Sequence, residues 1–127
     1  MAVFTPTITK VSEDARGEIY VITLPGDKEL LLLHSNKGSL RGGHAHDVDE
    51  IVVMLTGQML YHKLVDGCEQ KSFLVKGTTS LNHAGEVHMG EFLEDSWVLE
   101  WKFARKGEWK NIDWAPYREL VNANAAS

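Results

Sequence analysis

Gly38-Ser-Leu-Arg41-Gly-Gly-His44-Ala-His46-Asp-Val-Asp-Glu50-Ile-Val-Val-Met-Leu-Thr-Gly57 is the stretch on which the reading of this chain turns. Side chains on an extended strand alternate faces with a period of two. His44, His46 and Glu50, all even-numbered, are therefore expected to point the same way. Two imidazoles and a carboxylate converging on one face make a three-point metal site. Such donors suit iron, manganese, nickel, cobalt or zinc better than calcium or magnesium. His88, beyond the glycine-flanked segment 77–85, is the fourth candidate ligand. Protons compete for imidazole, so metal occupancy is expected to fall as pH drops through about 6.5.

Outward from this stretch, the chain reads as short strands separated by turns. Segments 3–10, 18–24, 29–34, 50–55 (continuing the motif strand), 58–65, 69–75, 87–91 and 96–104 are each bounded by glycine, proline or polar clusters. Asp66-Gly67 is a two-residue hairpin signal, placing Cys68 at an exposed tip. Segment 78–86 is polar and reads as a loop. Strands at this spacing indicate an all-β antiparallel sandwich or barrel. Asp113 is expected to cap a short helix through Pro116 to Val121, with 122–127 frayed.

The chain of 127 residues fits one domain, with a barrel over about 15–105, an N-terminal arm at 1–12 and a tail at 106–127. Its 18 acidic and 13 basic side chains argue against a nucleic-acid surface. No window approaches the roughly 18 apolar residues of a membrane span, and the N-terminus lacks signal-peptide features. One cysteine cannot form an internal disulfide, and these features together point to the cytoplasm.

Gly38-x5-His44-x-His46-x3-Glu50-x6-Gly57 resembles the first motif of the cupin superfamily position for position. Gly77-x5-His83-x-Gly85-x2-His88 resembles the second, with His83 where proline is usual and Phe92 where asparagine often stands. The resemblance implies a double-stranded β-helix (jelly-roll) barrel holding one divalent metal through three histidines and a glutamate. It also implies a homodimer paired through edge strands and swapped N-terminal arms. Asp14-Ala15-Arg16-Gly17, the Arg41–His46 element and segment 87–99 are similar to the nucleotide-sugar ketoisomerase and epimerase branch. In that branch the two histidines act on the sugar ring without a metal. Glu50 stands where the branch commonly has an amide, which restores the metal-binding pattern.

The resulting expectation is a mononuclear metal-dependent enzyme that isomerises or epimerises a small carbohydrate-derived substrate. His44, His46, Glu50 and His88 are the expected ligands. Arg41, on a glycine-flanked loop at the barrel rim, is expected to grip an anionic group. His34, Tyr61 and His62 are candidate proton shuttles, since a His or Tyr beside a metal can act as acid or base. Met54, Trp101 and Lys102 are further pocket candidates, and His83 is a loop or rim residue. The alternatives are an Fe(II)-dependent dioxygenase, which needs the same ligands, and a non-catalytic small-molecule-binding or sensor domain.

Overall fold

A computed structural model describes residues 5–126. Its strands largely correspond to the segments read from sequence: β1 (Thr7–Asp14), β2 (Gly17–Leu24), β3 (Lys28–Ser35), β4 (Leu40–His46), β5 (Glu50–Thr56), β6 (Gln58–Val65), β7 (Cys68–Val75) and, after a short β8 (Thr79–Asn82), β9 (Val87–Phe92). β10 (Ser96–Lys102), β11 (Asn111–Asp113) and the helix α1 (Ala115–Ala125) complete the order. Six strands form one sheet in the order β1-β2-β3-β10-β5-β8, and five form the other in the order β11-β4-β9-β6-β7. All pairings are antiparallel. This is the jelly-roll barrel expected from sequence.

The core lies between the sheets. Leu33, Val52, Met54 and Val98 come from the larger sheet and Met59, Tyr61, Leu74 and Phe92 from the smaller. On the outer face of the smaller sheet, Tyr117 and Val121 of α1 pack against Met89, with Leu40 and Val87 beside them. Asn124 ties the end of the helix to the barrel: its Nδ2 donates to the Gly38 carbonyl at 3.0 Å, and the Leu40 N–H donates to its Oδ1 at 2.8 Å. Those two bonds explain why α1 continues to Ala125 instead of fraying from residue 122.

Several sequence expectations are corrected here. The motif stretch is two strands in two different sheets, with the turn 47–49 between His46 and Glu50. Segment 78–86 is not all loop, because Thr79–Asn82 pairs with β5, with Asn82 opposite Glu50. A four-residue polar strand has no periodicity of its own, so only its tertiary partner reveals it. Asp113 lies in β11 opposite His44, and the residue before the helix is Trp114, without a side-chain cap. Residues 7–14 are no free arm: β1 pairs with β2 of its own chain and extends to Asp14, beyond the turn read at 12–17. Residues 1–4 of the expected arm lie outside the described residues. The Asp66-Gly67 hairpin has both φ angles positive, at 52° and 78°, as its two-residue turn requires.

Candidate metal centre

His44 and His46 stand at the end of β4, and His88 lies on β9 directly across from His44. Each of the three imidazoles offers a nitrogen, and these atoms lie within 4.8 Å of one another. Ring centroids are separated by 4.7 Å (44–46), 5.1 Å (44–88) and 5.0 Å (46–88). Glu50 reaches the same place from the other sheet. Its Oε2 is 3.1 Å from His46 Nε2, and its Oε1 is 3.5 Å from His88 Nε2. Convergence thus arises where two sheets meet, while parity along a single strand accounts only for His44 and His46.

Glu50 is also held by other groups. Asn82 Nδ2 donates to its Oε1 at 3.0 Å, and Lys102 Nζ lies 3.0 Å from its Oε2. Lys102 in turn sits over the Trp109 ring, 4.2 Å from the centroid. The carboxyl is almost fully buried, which by itself would raise its pKa. The His46 contact and the Lys102 ammonium outweigh burial and hold it well below the usual carboxylate range. Glu50 is therefore an anion.

Two of the histidines, His44 and His88, are kept neutral. Burial, with further lowering from His88 and His46, depresses His44 to about 3. Burial also depresses His88 to about 4 against the opposing pull of Glu50. Proton competition near 6.5, expected for a free imidazole, is thereby displaced to more acid pH. His88 Nδ1 lies 3.2 Å from the Glu86 carbonyl, so as a donor it leaves Nε2 unprotonated and turned toward Glu50 and the other rings. Both ring nitrogens of His46 are buried without a hydrogen-bond partner, because the approach of Nε2 to Glu50 is close in distance but poorly aligned. A buried nitrogen left unsatisfied is costly unless something else claims it. Three imidazoles beside an anionic carboxylate fit a divalent transition metal, so these three histidines can hold one.

The cluster opens onto a cavity of about 240 Å³. That is room for roughly eight waters at about 30 Å³ each, the scale of a small molecule. Ile19, Leu31, Leu33, Phe92 and Val98 form its apolar wall. Arg41, Tyr61, Glu100 and Lys102 supply its polar groups, with Arg16 and Arg118 also lining it.

Arg41 reaches the cavity through a local irregularity. Register between β4 and β9 shifts between Gly42 and His44, so one extra residue resets the alternation of faces. Without the bulge, Arg41 and His44 would lie on opposite faces. Both glycines have positive φ, 97° and 86°. A Cβ on Gly42 would come 2.9 Å from the His88 carbonyl oxygen, and one on Gly43 would come 3.0 Å from Arg118. Arg41 donates through Nε to Ser35 Oγ at 2.7 Å and through Nη2 to the His34 carbonyl at 3.3 Å. Burial lowers its pKa to about 10, which leaves it cationic at neutral pH.

Tyr61 is buried beside His88, ring centroids 5.9 Å apart, and its hydroxyl accepts from Asn82 Nδ2 at 2.7 Å. Burial and the nearby Glu50 charge raise its pKa well above 10, so it remains protonated. The other two candidate shuttles are elsewhere. His34 lies on the outside of the larger sheet, its Nδ1 2.7 Å from Glu18 Oε2 and its ring stacked on Trp97. His62 lies on the outside of the smaller sheet, between Glu69 and Glu91 at 3.6 and 3.4 Å, with Tyr117 of α1 beside it. Both have the parity opposite to the cavity-lining residues of their strands, Leu33 and Tyr61. Met54 is core, Trp101 faces outward, and His83 is an exposed loop residue whose N–H donates to Glu86.

Glu100, Asn82 and Trp109 were not singled out from sequence. Glu100 did leave a signal: it is an acid in the middle of Trp97-Val-Leu-Glu-Trp, sharing parity with the core residue Val98. Burial pushes its carboxyl up to about 8, with the Glu50 charge adding to the effect. Asn82 and Trp109 left none, since both lie in segments whose placement depends on tertiary contacts.

No protein-family model matches the sequence, and none of the curated proteins does. Solved structures are similar in fold. CapF of Staphylococcus aureus, a capsular polysaccharide assembling protein, superposes with a TM-score of 0.71 at 18% identity, over 85% of this chain and 34% of that one. A deletion mutant of Bacillus subtilis oxalate decarboxylase OxdC gives 0.71 at 14% identity, over 92% and 34%. KdgF from Halomonas sp. gives 0.61 at 16% identity, over 77% and 88%. The chain spans about a third of the length of the first two. At such identities the likeness speaks for the fold alone: with its two antiparallel sheets, this chain has the cupin jelly-roll fold.

Proposed function

We propose that the protein is a mononuclear metal-dependent enzyme that isomerises or epimerises a small carbohydrate-derived substrate. The observation carrying this reading is the triad of histidines, nitrogens within 4.8 Å of one another, at the wall of a cavity with its own proton donors. His44, His46 and His88 would hold the metal, with Glu50 beside them as the fourth donor. A bound divalent ion supplies Lewis acidity toward a carbonyl oxygen, which acidifies the adjacent C–H.

The chain's own groups account for the rest. Arg41, fixed by Ser35 and the His34 carbonyl, orients an anionic group of the substrate. Tyr61 receives its hydrogen bond from Asn82 and so keeps its own O–H free to donate. Glu100, with a pKa of about 8, can hold or release a proton near neutral pH, which suits an acid–base role. The apolar wall limits water around the reacting carbon.

The test is proton NMR in D2O with metal-loaded protein and a panel of keto-sugars and sugar acids. The expected result is loss of a C–H signal next to a carbonyl, abolished in His44→Ala. Oxygen uptake dependent on Fe(II), without such exchange, would replace this reading with a dioxygenase. Ligand binding without turnover would replace it with a binding domain.

A further inference from the structure

β4 carries Arg41, His44 and His46, yet two consecutive glycines at positive φ interrupt it between Arg41 and His44. Glycine has more backbone freedom than any other residue, so the pair by itself does not fix the direction in which His44 leaves the bulge. β9 holds the strand on either side of Gly43 but not at it. The register passes from Gly42 opposite Met89 to His44 opposite His88.

The other flank of β4 is closed by the end of the chain. β11 pairs with β4, Asp113 opposite His44. The next residue, Trp114, donates its N–H to the Gly43 carbonyl at 3.0 Å. One turn further on, Arg118 Nη1 donates to the Gly42 carbonyl at 2.7 Å. Both carbonyls of the glycine pair thus accept from the start of α1. The guanidinium is steadied from behind, Nη2 donating to Asn122 Oδ1 at 2.8 Å. The helix beneath it is held in turn by Tyr117 and Val121 against Met89. Its backbone lies directly on the bulge, since a Cβ on Gly43 would come 3.0 Å from the Arg118 nitrogen and 3.1 Å from the Tyr117 carbonyl carbon.

We infer that Arg118 is a positioning residue: from α1 it clamps the Gly42-Gly43 bulge and so sets the direction in which His44 meets His46 and His88. The inference rests on the metal site proposed above and extends its support to the end of the chain. A charged donor makes a hydrogen bond roughly twice as strong as a neutral one, which suits a carbonyl that must not swing. Arg118 also lines the cavity, and both of its hydrogen-bond partners are neutral, so a dication at the triad feels its charge. Charge and clamp therefore act in opposite directions. Losing the charge alone strengthens metal binding, and losing the clamp weakens it.

Arg118→Met keeps the stem of the side chain, loses the guanidinium and separates the two. Zinc affinity is measured by calorimetry on metal-free protein, and amide exchange over residues 40–46 by mass spectrometry without metal. The expected result is binding weakened about tenfold, the lower end of what loss of an outer-shell support costs. Exchange over 40–46 should quicken at the same time, with an unchanged circular dichroism spectrum. Arg118→Lys, whose ammonium can still donate to the Gly42 carbonyl, should recover part of both. Equal or tighter zinc binding in Arg118→Met overturns the inference and leaves Arg118 acting through its charge alone. Should that variant fail to fold, Asn122→Ala removes the partner of Nη2 on the exposed side of the helix and is judged by the same two readings. If the unaltered protein takes up no zinc, the metal reading fails by itself and exchange decides the clamp. Faster exchange over 40–46 in the variant then upholds it, and unchanged exchange overturns it.

Discussion

Lys102 Nζ and Glu50 Oε2 lie 3.0 Å apart in the barrel interior, so the carboxylate that would complete the metal site already carries a cation. Glu50 joins this contact to those with His46 and His88, and a dication at the triad would have Lys102 as its nearest like charge. Lys102→Met removes both the competition for Glu50 and that repulsion. Metal affinity measured by calorimetry on metal-free protein should rise about tenfold, equivalent to ~1.4 kcal/mol. The metal-free variant should at the same time be less stable, because Glu50 loses a buried partner. Unchanged or weaker metal binding would show that Glu50 and Lys102 act as a pair independent of the metal.

His44 is the least enclosed of the three histidines and has no core contact that its removal would open. His44→Ala should therefore abolish stoichiometric metal uptake, read by plasma mass spectrometry, while leaving the barrel folded. The core between Leu33, Met54, Met59 and Phe92 is untouched by the change. Unfolding of the variant, in place of a folded metal-free protein, would make the centre a structural element of the barrel.

Gly42 connects fold and site. Its φ of 97° and the 2.9 Å approach of a Cβ to the His88 carbonyl mean that any side chain strains β4 against β9. Gly42→Ala should cost ~1–3 kcal/mol in chemical denaturation, the range for a strained backbone position. It should also weaken metal binding, since relief of the clash separates His44 from His88. Loss of stability with affinity intact would mean that the bulge serves only the sheet.

How much of this was legible beforehand follows from what local sequence encodes. The barrel was readable because apolar runs and turn pairs such as Asp66-Gly67 are local signals. His44, His46 and His88 were readable from motif spacing. The inward turn of Arg41 was not derivable by counting parity, because the bulge at Gly42-Gly43 resets the count. For His34 and His62, alternation from Leu33 and Tyr61 puts them outside, but which parity faces inward becomes known only once the sheets are paired. The partner of Glu50 was the least accessible feature. Lys102 is 52 positions away on a strand that meets β5 only in the folded sheet.

Glu100 and the histidines give the metal-free protein opposite pH dependences. His44 and His88 are depressed to about 3 and 4 in the folded state, against about 6.5 unfolded. Below 6.5 the unfolded chain takes up protons that the folded chain refuses. Their contribution is complete above 6.5 and is lost as pH falls toward 3. Glu100 runs the other way. Its folded value of about 8 exceeds the unfolded 4.5, so folding requires a proton that the unfolded chain gives up as pH rises. Its penalty grows from pH 4.5 and levels off above 8. Urea midpoints should accordingly fall on both sides of a maximum in the weakly acid range. Glu100→Gln, neutral at every pH, should be increasingly more stable than the unaltered protein from pH 5 to 8.5. A constant difference between the two across that interval would place the Glu100 carboxyl in water, ionised in both states.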